Sequence, residues 1–178
     1  GLGLRGLVFV RLLSKYRREG FFFLVRPARE DFAISGMAEE NYEEMVARLT
    51  EVNEGHLAHF TNDLILKKKM GKTKAHEHAD RLRFFGNDYL LGYESEDLVE
   101  GVSSYPSFVG DWFIRKCMWS DARAVKLNVE SFRLWLRFLG ESKMIEAEDL
   151  MNLHKHLDQD LEKWCLRASC YNDPEWEP

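Results

Sequence analysis

The strongest constraint on the fold of this chain is the spacing of its apolar residues from Met37 onward. They recur every three or four positions, most clearly after Ser120, at Val125, Val129, Phe132, Leu136 and Leu139. This spacing is the period of an α-helix that buries one side. No segment combines sustained alternation of polar and apolar residues with β-branched side chains, which would be typical of a strand. The sequence therefore predicts an all-α fold.

Glycines and capping residues divide this region into four or five helices. The predicted helices cover about residues 39–69, 73–91, 104–117, 121–140 and 146–170. Gly71 fits a C-cap after three lysines, and Thr73 fits the N-cap of the second helix. Gly55 leaves open whether the first helix is kinked or is two helices. We expect a compact helical bundle over residues 37–170, followed by a polar tail at 171–178.

The first 36 residues differ in composition from the rest. They hold seven basic and three acidic side chains, and their two apolar runs fall short of the about 20 residues that span a bilayer. Met37 is followed at once by an acidic, helix-prone sequence. We interpret residues 1–36 as an upstream extension, with Met37 as the natural start. The alternative is a basic and apolar arm that binds a membrane surface or a partner. We expect no membrane span.

The net charge of −5 is unevenly distributed along the chain. Residues 60–137 carry thirteen basic and eleven acidic side chains, whereas residues 138–178 carry four basic and ten acidic ones. The sequence pI of about 5.7 argues against indiscriminate binding of nucleic acid. A local basic face is still compatible with these values.

The cysteines and histidines form no recognisable chemical motif. The three cysteines include no CxxC pair, which predicts reduced thiols in a cytoplasmic protein, with Cys117 and Cys165 buried. His76 and His78 would lie on different faces of a helix, and no cysteine pair completes a metal site. We therefore expect exposed or half-buried histidines, no catalytic residue, no metal, no cofactor and no enzyme activity.

Basic residues concentrate on the second and fourth helices and before them. They are Lys67, Lys68, Lys69, Lys72, Lys74, Arg81 and Arg83, then Arg123, Lys126, Arg133 and Arg137. On the fourth helix they fall mostly opposite the apolar residues, where they could neutralise DNA phosphates. Acidic residues among them, including Glu77 and Glu130, favour the alternative of an ordinary solvated face.

Three segments follow one another in a distinctive order. Residues 71–85 read Gly-Lys-Thr-Lys-Ala-His-Glu-His-Ala-Asp-Arg-Leu-Arg-Phe-Phe, and residues 108–116 read Phe-Val-Gly-Asp-Trp-Phe-Ile-Arg-Lys. Residues 128–145 read Asn-Val-Glu-Ser-Phe-Arg-Leu-Trp-Leu-Arg-Phe-Leu-Gly-Glu-Ser-Lys-Met-Ile. This order resembles the N-terminal core-binding, SAM-like domain of tyrosine recombinases and phage integrases, over residues 55–146.

The resemblance implies a helical clamp that contacts double-stranded DNA through its second and fourth helices. The predicted DNA-binding residues are Lys72, Thr73, Lys74, Arg81, Arg123, Lys126 and Arg133. The catalytic domain of that family is not matched, and Tyr171 lacks the residues that accompany a nucleophilic tyrosine. We therefore expect a non-catalytic DNA-binding module, for which a recombinase is a conceivable protein partner. The alternative is a protein–protein interaction domain without DNA binding, which the acidic ends favour.

Overall fold

The computed structural model describes residues 41–171. These residues form helices and connecting turns, and no strand occurs among them. The predicted all-α helical bundle is confirmed. The predictions for residues 1–36, for a start at Met37 and for all of the predicted tail at 171–178 except Tyr171 lie outside the described residues.

Five helices make up this part of the chain, and two of them contain a π-helical segment. Helix α1 is Tyr42–Leu66, α4 is Ala122–Glu141 and α5 is Ala147–Cys170. Helix α2 begins with Lys72–Phe84 and continues through the π-helical Phe85–Leu90 to Leu91–Tyr93. A 3₁₀ turn, Glu100–Ser104, leads into α3, which consists of Tyr105–Ser107, the π-helical Phe108–Trp112 and Phe113–Lys116.

The boundary between α1 and α2 differs from the predicted one. Helix α1 runs without interruption through the exposed Gly55, and its last residue is Leu66. Lys69 adopts the left-handed conformation with a φ of 57°, so the chain turns before it reaches Gly71. Gly71 is the N-cap of α2 rather than the C-cap of α1, and Thr73 lies inside the first turn of α2. The two capping predictions were wrong because a lysine supplies the turn that glycine was expected to supply.

The start of α4 agrees with its prediction. The Asp121 side chain accepts a hydrogen bond from the Ala124 backbone N–H at 2.6 Å, which satisfies one of the free amides of the first turn. Helix α5 starts after Glu146, also as predicted. The Asp121 cap fixes where α4 begins, and the connection between α4 and α5 lies between Glu141 and Ala147.

Aromatic side chains fill the centre of the bundle. Trp135 and Phe132 of α4 are fully buried, as is Phe60 of α1. The rings of Phe132 and Tyr105 stack with their centroids 3.6 Å apart. The Trp135 indole N–H donates to the backbone oxygen of Leu98 at 3.3 Å, so its polar atom is satisfied inside the core.

Cys117 and Cys165 are buried free thiols, as predicted. Burial raises the pKa of Cys117 to about 11, which keeps the thiol protonated and unreactive at neutral pH. Within residues 41–171, no helix is both long and apolar enough to cross a membrane.

Helix α5 approaches α3 closely at one glycine. A β-carbon placed on Gly110 would lie 2.3 Å from the Trp164 indole nitrogen, so only glycine fits against this ring. The guanidinium of Arg167 donates to the backbone oxygen of Gly110 and to the Asp111 carboxylate, both at 2.8 Å. The end of α5 is therefore fixed to the π-helical segment of α3.

Candidate nucleic-acid interface

The connection between α1 and α2 is the densest positive region of the described chain. Five of the eight positions 67–74 are lysines, and all five are exposed. We call Lys67, Lys68, Lys69, Lys72 and Lys74 the basic turn. Its last two members lie in the first turn of α2, whose N-cap, Gly71, offers no side-chain acceptor to the amides there. Free amides and the helix dipole attract anions at such an end.

The basic turn lies beside α4, from the middle of this helix to its last residue. The Lys68 ammonium is 2.7 Å from one carboxylate oxygen of Glu141, and the Lys74 ammonium is 3.7 Å from the Glu130 carboxylate. The exposed Arg137 stands on α4 one turn before Glu141. Ion pairs at exposed positions contribute little free energy, so a phosphate could replace these carboxylates at small cost.

Lys67 is the member of the basic turn with a well-buried partner. Its ammonium lies 2.7 Å from the Asp63 carboxylate, which is 4% exposed, while the lysine side chain itself is 71% exposed. The hydrogen bond and the charge of Asp63 raise the pKa of Lys67. Lys67 therefore neutralises a buried carboxylate and is a poorer phosphate ligand than its neighbours.

The structure leaves exposed most of the residues that the sequence predicted for DNA binding. Lys72, Thr73 and Lys74 are exposed at the start of α2. Arg123 and Lys126 are exposed on the outer side of α4, the side that also carries Arg137. These residues form a discontinuous basic surface that extends from the basic turn along α4.

Arg81 is turned away from this surface. Its side chain is 23% exposed and lies 3.8 Å from the Glu77 carboxylate, and it donates to the Glu77 backbone oxygen at 3.1 Å. It lines a groove of about 340 Å³ between α2 and α4, together with Phe84, Trp119 and other side chains. Asp80 also lines this groove, so its walls carry both signs of charge.

Arg133 lies at the interface of α4 with α5. Its guanidinium is 2.5 Å from the Asp158 carboxylate of α5, and the arginine side chain is 40% exposed. The sequence placed Arg133 on the exposed side of α4, which is true of only part of the side chain. Arg133 pairs with Asp158 because α5 packs beside α4. The spacing of residues along α4 does not show which helix packs there.

His78 joins α2 to α4 from a fully buried position. It is 1% exposed, which corrects the expectation of an exposed or half-buried histidine. The Ser131 hydroxyl donates to the Leu127 backbone oxygen, so its oxygen accepts from the His78 Nδ1–H at 2.9 Å. Nδ1 then carries the proton of a neutral ring, while the buried Nε2 has no partner in the described part of the chain.

The surroundings of His78 disfavour its charged form. Burial is the largest cause of its lowered pKa, and Arg81 and Lys74 lower the pKa further. Glu130 and Glu77 act in the opposite direction without cancelling the effect. Among residues 41–171, no group of three or more His, Cys, Asp or Glu side chains could hold a metal ion.

The sequence analysis noted all five lysines of the basic turn, but it included only Lys72 and Lys74 among the predicted DNA-binding residues. Lysines 67–69 are typical of a helix C-terminus, which interacts favourably with positive charge. The signal in the sequence was that Lys67, Lys68 and Lys69 are only a few residues from Lys72 and Lys74. A short connection between two helices places both groups of lysines at one end of the bundle. Arg137 joins them because α4 packs beside that connection.

No protein-family model, no curated protein and no solved structure matches this chain. The similarity to the core-binding domain of recombinases therefore stays a prediction from the sequence.

Proposed function

We propose that this protein binds double-stranded DNA without catalysis, through the basic turn and the outer side of α4. The observation that carries the proposal is the set of five exposed lysines around the uncapped N-terminus of α2. Lysine side chains and free helix amides are the groups that bind phosphate oxygens. Lys68 and Lys74 pair with the exposed carboxylates of Glu141 and Glu130, and phosphates can displace such exposed partners.

The dimensions of the surface suit a duplex. From Arg123 to Arg137, α4 rises about 21 Å, which corresponds to about six base pairs of DNA. Arg123, Lys126 and Arg137 are exposed along this length and continue the basic turn. A duplex that lies along α4 would therefore meet positive charge at both ends of the helix and at the start of α2.

Acidic residues limit the expected affinity. Glu130 lies on the outer side of α4, and Glu77 and Asp80 are exposed on α2. They repel phosphates, so we expect a dissociation constant on the order of the micromolar range that is typical of non-specific binding. The affinity should fall as the salt concentration rises, because nearly all of the free energy comes from counterion release, and the slope of log K against log[salt] should be about −0.9 for each phosphate contacted.

Fluorescence anisotropy with a labelled mixed-sequence duplex tests this proposal. The variant K72E/K74E should lower the affinity by about tenfold or more at low salt, because two phosphate contacts become repulsions. The matched control is K155E/K163E, which makes the same change in net charge at two exposed lysines of α5. We expect the control to lower the affinity by less than about threefold.

Two results would contradict the proposal. One is equal loss of affinity in both variants, which would indicate a general effect of net charge. The other is no binding of the unaltered protein at low salt.

A protein–protein interaction domain is the second candidate function. Its support is a depression of about 410 Å³ between the ends of α1 and α4, lined by Leu66, Phe138, Met144 and neighbouring residues. Leu66 is 65% exposed and Met144 is 37% exposed, as expected of a surface that a partner covers. This candidate takes precedence if the duplex does not bind. Leu66→Asp should then prevent capture of a partner without changing the melting temperature.

A further inference from the structure

The groove of about 340 Å³ between α2 and α4 has aromatic rings at one end. The ring of Phe84 lies 6.2 Å from that of Trp119 and 6.4 Å from that of Phe113, and all three side chains line the groove. Phe113 is buried in the core, whereas Trp119 is 64% exposed. A flat apolar group that entered the groove would therefore pack against a buried ring and an exposed one.

Hydrogen-bonding side chains line the groove along both helices. Glu77, Asp80 and Arg81 belong to α2. Asn128 belongs to α4, and because its amide nitrogen donates to the Ala124 backbone oxygen at 3.0 Å, its amide oxygen is the acceptor that it offers a ligand. Arg81 has further guanidinium donors besides the one that bonds the Glu77 backbone oxygen. An apolar helix in this groove would bury these polar groups without partners, at a cost in free energy.

The groove suits a single nucleobase in size and in chemistry. Its volume is near the lower end of the range of about 300–1,000 Å³ that small-ligand sites enclose. A purine has flat faces that stack on aromatic rings, and its edge carries both donors and acceptors. Arginine donates to the acceptors of such an edge, and a carboxylate accepts from its amino group. Stacking combined with hydrogen bonds to the edge is how proteins bind a base taken out of a DNA helix.

The groove is continuous with the proposed DNA surface. The ion pair of Lys74 with Glu130 joins α2 to α4 about one turn from the nearest lining residues. Along α4, the exposed Arg123 and Lys126 each stand next to a residue that lines the groove. The rise along α4 from Glu130 to the lining residue Ala124 is about 9 Å, or fewer than three base-pair steps. A base that left a duplex bound to these residues would therefore reach the rings within a few nucleotides.

We infer that the groove between α2 and α4 binds one unpaired purine base of the bound DNA, stacked on Trp119 and Phe84. This inference rests on the proposed function and extends it to the class of DNA that the protein prefers. Arg81 then donates to the edge of the base and not to a phosphate, which agrees with its position in the groove. Phosphate contacts are common to all duplexes, whereas this site distinguishes DNA that carries an extrahelical base.

Three DNA probes of one sequence test the inference by fluorescence anisotropy with the full chain. The first is a fully paired duplex, the second carries one additional unpaired adenine in one strand, and the third carries an abasic nucleotide at that position. The second and third probes have the same charge and the same interruption of the duplex, so the ratio of their affinities measures the base alone. We expect the adenine probe to bind at least about fivefold more tightly than the abasic probe, because stacking of a base on an aromatic ring contributes at least that much.

Trp119→Ala should reduce this ratio to about one and leave the affinity for the paired duplex unchanged, because the indole stacks on the base and contacts no phosphate. The matched control is Tyr42→Ala, which removes an aromatic ring that is 62% exposed at the start of α1. This control should keep the ratio of the unaltered protein. The variant K72E/K74E should weaken the binding of all three probes to a similar extent, because it removes phosphate contacts that they share.

The probes separate failure of this inference from failure of the proposed function. Equal affinities for the adenine and abasic probes would overturn the inference, while binding of the paired duplex would still support the proposed function. A ratio that Trp119→Ala leaves unchanged would also overturn the inference, because the base would be held elsewhere. Binding of the adenine probe alone would support the groove and contradict the proposed function. Failure of all three probes to bind at low salt would overturn both.

Discussion

Helix α4 packs against α5 on one side and against α2 on the other, and the two interfaces hold it in different ways. On the α5 side, a β-carbon on Gly140 would lie 2.7 Å from a methyl group of Leu150, so the two helices approach closely there. On the α2 side, a single hydrogen bond between His78 and Ser131 is buried, and a groove of about 340 Å³ stays open beside it. Both interfaces bury apolar side chains, but only the α2 side also buries an imidazole, whose protonation is disfavoured there.

This difference bears on function because the basic turn belongs to the α2 side. Lys74 reaches Glu130 of α4 from the same helix that holds His78. Helix α5 contributes no lysine to the basic turn, and its contacts with α4 include the close approach of Leu150 to Gly140 and the ion pair of Asp158 with Arg133. The two interfaces should therefore respond differently to substitution, to pH and to DNA.

The largest effect on stability is expected from a substitution that leaves a cavity where α5 packs on the rest of the bundle. Leu157 of α5 is fully buried, so Leu157→Ala should lower the free energy of unfolding by about 3 kcal/mol. Urea denaturation at pH 7 and at pH 5 measures this loss, which should be the same at both pH values because no titrating group is removed. Leu166→Ala, at a position of the same helix that is 66% exposed, is the control and should change stability by less than about 0.5 kcal/mol.

A loss at Leu157 that differs strongly between the two pH values would contradict the comparison. It would mean that the α5 side also depends on a titrating group. The partly buried His154 of α5 would then be the first residue to substitute, because its pKa is lowered as well, mainly by burial.

The second effect is a pH dependence of the stability, which arises from His78 on the α2 side. The pKa of His78 in the folded protein lies below the ordinary value of 6.5, so the unfolded chain binds more protons near that pH. The stability that the neutral His78 ring contributes is therefore fully present above pH 6.5, and this contribution is lost as the pH falls below that value. One proton gives a slope of at most about 1.4 kcal/mol per pH unit. Urea midpoints between pH 7.5 and pH 5 measure it.

His78→Asn isolates this contribution. The asparagine amide can still donate to Ser131 but does not titrate, so the variant should lose part of the slope seen in the unaltered protein. His154→Asn is the matched control and should keep the part that belongs to His78. An unchanged slope in His78→Asn would show that the buried imidazole does not control the stability of the α2 side.

The helical framework could be predicted from the sequence because it follows from local patterns. The apolar spacing of α4 and the Asp121 cap are properties of neighbouring residues, and the structure has both. The π-helical segments Phe85–Leu90 and Phe108–Trp112 were not predicted. The extra residue in each of their turns changes which side chains reach the surface. Phe84, Trp112 and Tyr93, which lie within or beside these segments, place their aromatic rings next to one another.

The candidate site was harder to predict because its charges are selected by tertiary contacts. The sequence alone does not distinguish Lys72 from Arg133 as a phosphate ligand. In the structure Lys72 is exposed at a helix N-terminus, whereas Arg133 meets Asp158 from a helix 25 residues further along the chain. Periodicity places a residue on one side of its own helix. It does not identify the neighbouring helix that covers that side.

The smallest effect distinguishes the two sides of α4 in DNA binding. Arg133→Gln should change duplex affinity by less than about twofold, because the arginine is already paired with Asp158, and should cost less than about 1 kcal/mol of stability. Lys74→Gln should lower the affinity several-fold, because Lys74 is 60% exposed and its ion pair with Glu130 is loose, at 3.7 Å. Both variants remove one positive charge, so each is the control for the other in anisotropy measurements across a salt series.

Asp158→Asn completes this comparison. It releases Arg133 and removes a negative charge, so a modest gain in affinity is expected if the α5 side lies within reach of the duplex, and no change is expected if only the α2 side binds. Equal losses in Arg133→Gln and Lys74→Gln would instead mean that phosphate displaces Asp158. The DNA surface would then include Arg133, as the sequence predicted, and the contrast between the two interfaces of α4 would be confined to stability.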